Sequence, residues 1–283
     1  MRVSPHLNIS ISDGLWQALQ ERASTSGQPV DHIVQAALAD ALDMEHDALY
    51  QVSTAGALLQ GVYQGFVSIA ELRRHGDLGL GTFDSLDGEL IVLDGICYRA
   101  RADGSVVVAE DDELTPFASI VHFAPDFTAS IDGVTSIADL TEQLDGLRTS
   151  ANETVSFRLD ARFPSIEVRA ACKSQPGVDL VTATSSQALF NWTDVEGTLV
   201  GFWSPQYFSA ITIPGYHLHF ISADRTKGGH LLDLVTERIS VQINEISDVH
   251  LAIPENAAFL EADLTGDTTQ ALKAAESKPP SRP

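Results

Sequence analysis

Apolar and polar residues alternate through Leu7, Ile9 and Ile11, which predicts a short strand over 7–12. Ser12 or Asp13 can cap a following helix with apolar residues at Leu15, Trp16, Leu19 and Ala23. Ser26-Gly27 breaks that helix, and Pro29 starts a second one with Val30, Ile33, Val34, Ala37, Leu38 and Leu42 on one face. From residue 50 the texture changes. A helix is expected within 53–75, with Ala57, Leu58 and Val62 on one side, followed by a shorter one over 69–74. Strands and tight turns dominate 79–108, where Asp-Gly pairs at 87–88, 94–95 and 103–104 mark hairpins. A loop over 111–116, a strand over 120–127 and a helix over 136–148 come next. Further strands are expected at 154–160, 165–171, 198–204, 216–222 and 230–243, with a last helix over 267–276. The fold class is therefore α/β in the α+β sense: mixed and antiparallel β-sheets with flanking helices. A small unit over 1–46 precedes a main domain over 47–283.

Strand, helix, Ser-Gly turn and helix in so short a stretch resemble the ribbon-helix-helix family. The resemblance implies a dimerisation module, in which two chains join their strands into one antiparallel ribbon. A homodimer is thus expected. In DNA-binding members the ribbon presents basic or amide side chains to the major groove. Here the outward residues would be His6, Asn8, Ser10 and Ser12. Arg2 and Arg22 face six acids, Asp13, Glu21, Asp31, Asp40, Asp43 and Glu45, so nucleic-acid binding is not expected.

Composition narrows the classes further. The 283 residues are 44% hydrophobic and 20% charged, which supports a real core and excludes wholesale disorder. Thirty-nine acidic residues against 17 basic ones give a formal charge of −22, poorly suited to phosphate backbones or anionic membranes. No apolar run is long enough to cross a bilayer, and the first dozen residues lack a secretory h-region, so a cytoplasmic protein is expected. Cys97 and Cys172 match neither a disulfide framework nor a CxxC metal spacing. Cys97 lies in an apolar strand and reads as a small buried hydrophobe. Glycine-rich dinucleotide and phosphate loops are absent.

The sharpest constellation is PGYHLHFISADRTKGGH at 214–230. Residues i and i+2 of a strand face one side, so His217 and His219 point to one place. Turn-forming residues 224–229 follow, and a hairpin of that length brings His230 beside the pair. Three imidazoles from adjacent strands suit a divalent metal with a position left open. Imidazole donors favour Zn, Fe, Ni or Cu over Mg or Ca. Cupin-type proteins also use HxH, but with a glutamate four or five residues on. Here the nearest acid is Asp224. His75, His122 and His250 have no companions at ligand spacing.

Four blocks make the chain similar to the acetolactate decarboxylase family: STAGALLQGVYQG (53–65), HGDLGLGTFDSLDGELIVLDGICYRARADGSV (75–106), FPSIEVRAACKSQ (163–175) and PGYHLHFISADRTKGGHLLD (214–233). The resemblance spans roughly 50–280. It implies a mononuclear zinc enzyme that converts (S)-2-acetolactate to (R)-acetoin, with His217, His219 and His230 on the metal. The LDGEL carboxylate falls on Glu89, the arginine after FPSIEV on Arg169, and a C-terminal carboxylate, by spacing, on Glu276. Thr82, Leu58 and Leu86 lie in the matched blocks as pocket walls. The family's arginine block continues as RSVPKQ, where this chain has RAACKSQ, which puts the local loop in doubt. Losing CO2 from a 2-hydroxy-3-oxo acid leaves an electron pair on C2 that must flow into the C3 ketone as an enediolate. A Lewis acid stabilises that charge, a guanidinium suits the carboxylate or the protonation site, and a nearby carboxylate can relay a proton. The alternatives are a metabolite-sensing regulator tethered to DNA by residues 1–46, or another three-His metal enzyme, a hydrolase or cupin-like dioxygenase.

Overall fold

Residues 7–42, 47–185 and 187–276 are described by a computed structural model, in which the chain divides into two compact units between residues 46 and 47. In the first unit, α1 (Asp13–Ser26) begins where the Ser12 hydroxyl accepts the Leu15 N–H at 3.3 Å. It ends at Gly27, whose φ of 76° lets its N–H reach back to the Ala23 carbonyl. Helix α2 (Val30–Ala41) follows Pro29. Among the described residues of this unit only Ile33 is buried, while Leu7, Ile9, Leu15, Trp16, Leu38 and Leu42 are exposed.

The strand expected over 7–12 is not there. Those residues pair with no other segment among the described residues, and a lone strand gains nothing over hydration of its backbone groups. The two helices of the ribbon-helix-helix pattern are present, and among the described residues of one chain there is no second strand for its ribbon. His6, Arg2, Asp43, Glu45 and His46 lie outside the described residues.

The second unit opens with β1 (Ala48–Val52), α3 (Ala55–Leu59), β2 (Val67–Ser68) and α4 (Ile69–Leu72). Then come β3 (Leu78–Thr82), β4 (Glu89–Leu93), β5 (Ile96–Ala100), β6 (Val106–Val108), β7 (Leu114–Thr115) and β8 (Phe117–Val121). The remainder is β9 (Phe127–Val134), α5 (Ile137–Asp145), β10 (Thr154–Ala170), α6 (Leu180–Thr184), β11 (Ala188–Ser204), β12 (Gly215–Ser222), β13 (Gly228–Ile246), β14 (Asp248–Ala252), α7 (Ala257–Glu261) and α8 (Thr269–Glu276). One sheet has seven strands in the order β14-β1-β8-β3-β4-β5-β6, with only β1 and β14 parallel. A second runs β10-β11-β12-β13-β9, and β10 also pairs with β13, so β10 to β13 close on themselves, while β2 and β7 form a separate two-stranded sheet. The sheets share a core in which Leu80, Ile91 and Tyr98 of the first meet Val200, Phe202 and Ile221 of the second.

Three differences from the sequence pattern have local causes. The helix expected within 53–75 is only five residues long before Gly61 takes a φ of 79°, a conformation that stops a right-handed helix. Val62 is buried all the same. The strands expected at 154–160 and 165–171 are one, β10. Pro164 survives inside it because the ladder to β13 is interrupted there, between the Ala161–Ile239 and Ser165–Val235 pairs. The strand expected over 120–127 is instead the end of β8 and the first residue of β9.

Candidate active site

Strand register brings the three histidines together. His217 and His219 share a face of β12, and His230 is the cross-strand partner of His219 on β13. Their ring centroids lie 5.0 to 5.4 Å apart, and one nitrogen of each falls within 4.8 Å of the others. All three are buried. Among the described residues this is the group of histidines, cysteines and acids able to hold a metal.

The donor chemistry fits such an ion. The Nδ1–H of His219 donates to the Leu90 carbonyl at 2.9 Å, which leaves the Nε2 lone pair facing its neighbours. That Nε2 is buried and has no hydrogen-bond partner. An orphaned buried acceptor costs about 1–3 kcal/mol, a penalty that a ligand on the lone pair removes. Burial, reinforced by the Arg169 charge, pushes His217 down to about 3. Burial also holds His219 and His230 well below the usual histidine range, helped by His217 at the first and Arg169 at the second. The rings are therefore neutral at physiological pH, the form that binds metal.

Three charged groups frame the imidazoles. Arg169 is the cross-strand partner of His230 on β10. One Nη of its buried guanidinium donates to the Ala275 carbonyl, and the other lies 3.3 Å from Glu276 Oε2. That same oxygen stands 3.4 Å from His230 Nε2 and 3.8 Å from His217 Nε2. Glu89, the first residue of β4, places Oε2 3.7 Å from His219 Nε2, while its Oε1 accepts the Ala171 N–H at 2.9 Å. Burial raises Glu89 to about 7 against the lowering pull of Arg169 and the Ala171 N–H. Burial raises Glu276 too, opposed by Arg169.

These groups open on a small cleft. Leu58, Thr82 and Leu86 line it, as do Phe117, Leu180 and Ile213. The Thr82 hydroxyl is occupied, donating to the Gly88 carbonyl at 2.9 Å, so it offers the cleft its methyl more readily than its O–H. Leu86 reaches the cleft from an unusual turn. It and Ser85 sit at φ of 57° and 61°, two successive non-glycine residues in the left-handed region. Each costs roughly 1–3 kcal/mol and persists only where its surroundings enforce it.

The structure thus gathers all nine residues singled out from the sequence around one cleft, with His219 just beneath its lining. Sequence reasoning missed the Leu90 carbonyl and the Ala171 N–H, because backbone groups carry no residue signature. It missed Phe117, Leu180 and Ile213 because cleft walls and core look alike in an apolar pattern. The remaining candidates lie elsewhere. His75 stacks on Tyr50 at 3.7 Å, and His122 and His250 contact the Arg74 carbonyl and Asp248. Cys97 is buried, and burial pushes its thiol up to about 12, as suits a small hydrophobe. Cys172 is half-buried.

Comparison with known proteins agrees on one family. A family model described as alpha-acetolactate decarboxylase matches residues 49–266. The alpha-acetolactate decarboxylase of Bacillus licheniformis is 38% identical over 240 residues, covering 84% of this chain and 95% of that protein. The protein of the same name from Methanosarcina mazei is 37% identical over 231 residues, covering 81% of this chain and 80% of that one. The crystal structure of alpha-acetolactate decarboxylase from Bacillus subtilis superposes with a TM-score of 0.79 at 37% identity. It covers 82% of this chain and 100% of that one. Residues 1–46 and Glu276 fall outside the span of the family match.

Proposed function

The chain belongs to the alpha-acetolactate decarboxylase family, and from that premise we propose that it converts (S)-2-acetolactate to (R)-acetoin and CO2. The observation that carries the proposal is the meeting of three neutral, buried imidazoles with one guanidinium and two protonatable carboxyls on a single small cleft. His217, His219 and His230 are the residues that would hold the metal, for which we propose zinc on the grounds of an all-nitrogen ligand set. When bound there, a divalent ion supplies a Lewis acid for the oxygens on C2 and C3 of the substrate.

The protein's own groups account for the rest. Cleavage of the C1–C2 bond releases CO2 and leaves its electron pair on C2, from where it delocalises toward the C3 carbonyl. One proton must then reach carbon. Glu89 lines the cleft with its Oε2 beside His219, which places its carboxyl to relay that proton, and solvent restores it. Arg169 offers the substrate carboxylate a planar fork of donors. Two of its N–H groups are already engaged by Ala275 and Glu276, so it orients that carboxylate without gripping it in the ground state. Glu276 shares the Arg169 fork and borders the imidazoles, which suits it to hold the hydroxyl side of the substrate. Leu58, Leu86 and Thr82 present apolar surface for the two methyl groups.

For residues 1–46 we propose a homodimerising module. Its two helices and the 7–12 segment leave seven large apolar side chains exposed and bury only Ile33 among the described residues. A second copy of the same surface would cover them. Among residues 7–42 a single cation, Arg22, stands against Asp13, Glu21, Asp31 and Asp40, which disfavours the DNA-tethered alternative. No helix among the described residues is long and apolar enough to cross a membrane.

The direct test is to incubate purified protein with racemic acetolactate and assay acetoin on a chiral column, with and without a chelator. (R)-Acetoin formation abolished by the chelator supports the proposal. Acetoin at the spontaneous rate in metal-replete protein would refute it.

A further inference from the structure

We propose that Arg99 is a positioning residue for this reaction, clamping the 83–88 turn from outside the cleft and so fixing the Glu89 carboxyl and the Leu86 side chain. The inference rests on the functional reading above. Arg99 stands on β5 opposite Leu90, one pair along the ladder from Glu89 and Ala100. It is buried yet does not line the cleft. Its guanidinium lies 4.1 Å over the Phe83 ring, 3.5 Å from Asp87 Oδ2 and 2.5 Å from Glu113 Oε1.

Phe83 and Asp87 bracket the two residues held at positive φ, Ser85 and Leu86. One buried cation therefore touches the turn on both sides of its strained centre, while Glu113 fixes that cation from a different loop. The opposite flank is pinned separately. The Ser85 N–H donates to the Tyr63 carbonyl at 2.9 Å, and Asp84 Oδ1 accepts the Gly65 N–H at 2.8 Å. Strain of this kind relaxes when a restraint is removed. The residues next to the turn are Leu86 and Glu89, both in the cleft, whereas the histidines ride on β12 and β13, tied to β4 by the hydrogen bond from His219 to the Leu90 carbonyl in the ladder-paired part of that strand. Loss of Arg99 should then disturb proton delivery and facial selectivity while sparing the metal. Arginine suits the position because one planar group can stack on a ring and fork to two carboxylates at once, which lysine does only in part.

The test compares Arg99→Met and Arg99→Lys with wild type for metal content, Tm, kcat, KM and enantiomeric excess of acetoin. Arg99→Met should keep its metal and a KM within about threefold, lose at least about tenfold in kcat, and give acetoin of lower enantiomeric excess. Arg99→Lys should recover part of both losses. Wild-type kcat and enantiomeric excess in Arg99→Met, with only a lowered Tm, would overturn the proposal, as would metal loss in step with kcat. Should Arg99→Met fail to fold, Asp87→Asn decides, since it loosens the same clamp at a half-buried position. A kcat at least threefold down with lower enantiomeric excess supports the clamp, and unchanged values refute it. The wild-type assay keeps the two claims apart: its acetoin yield tests the reaction, and the variant-to-wild-type ratio tests Arg99.

Discussion

His217, His219, His230 and Arg169 are brought together by the cross-strand register of β10, β12 and β13, whereas Glu89 follows a turn as the first residue of β4 and Glu276 belongs to the short helix α8. The first four are fixed by register: two imidazoles two residues apart on β12, the third across the ladder on β13, and the guanidinium across the next ladder on β10. Shifting any of these strands by one residue would turn its side chain to the opposite face, so the ladders define the cluster sharply. Of the two carboxyls, one depends on a strained turn and the other on the packing of a short helix. Glu89 needs the 83–88 turn and the Ala171 N–H, and Glu276 needs its contact with Arg169. A ladder suits groups that must converge on one ion.

Breaking the ladder half should have the largest effect. His219→Ala removes the imidazole oriented by the Leu90 carbonyl, and should cost metal and at least about 1,000-fold in kcat/KM, roughly 4 kcal/mol. Elemental analysis beside kinetics checks this. A fully metallated, active His219→Ala protein would dissolve the contrast. Substitution in the other half should separate activity from metal: Glu89→Gln should keep its ion and lose about 100-fold in kcat, about 2.7 kcal/mol. Arg169→Ala should do likewise, and Glu276→Gln should move in the same direction by less. Metal loss in Glu89→Gln would mean that the halves are not distinct.

Packing beneath the ladder gives a smaller, structural effect. A Cβ at Gly201 would sit 2.0 Å from the His217 carbonyl oxygen, so Gly201→Ala must push β12 off β11. A stability loss of about 1–3 kcal/mol with weakened metal binding is expected by thermal denaturation and metal titration. Deleting residues 1–46 should leave turnover per subunit within a few-fold while lowering the mass in solution. A gel shift of duplex DNA by the full chain would instead favour the regulatory alternative. The smallest effect falls on α6, whose Leu180 and Thr184 line the cleft. Asp179 caps α6, accepting the Thr182 N–H at 2.9 Å, and Asp179→Ala should cost about 1 kcal/mol. Its carboxyl is held below the usual range by Thr182, so the cap contributes at neutral pH and fades as pH falls through that lowered value.

What could be read from the sequence follows the same division. The HxH spacing and the turn after it point to the three histidines on physical grounds, because alternation and hairpin geometry are periodic signals. Glu89, Arg169 and Glu276 were reachable only through family resemblance, since a solvated hairpin glutamate and a site glutamate look alike in one chain. Most strands were legible from alternation and from Asp-Gly turns such as 94–95, where both residues have positive φ. Closure of β10 on β13 was not, because pairing between residues as far apart as Thr154 and Ile246 leaves no local trace. Nor was the absence of a strand at 7–12, whose alternation describes a surface but supplies no second strand within the described residues.

The account stands or falls on whether these three histidines hold the ion that decarboxylation requires. Zinc titrated into metal-free protein, with acetoin followed at each addition, tests this most directly. Activity should rise linearly and stop at one equivalent per chain, while the protein carrying alanine at 217, 219 and 230 stays at the spontaneous rate throughout. Full activity before any metal is added, or an equal response from the triple variant, would contradict it.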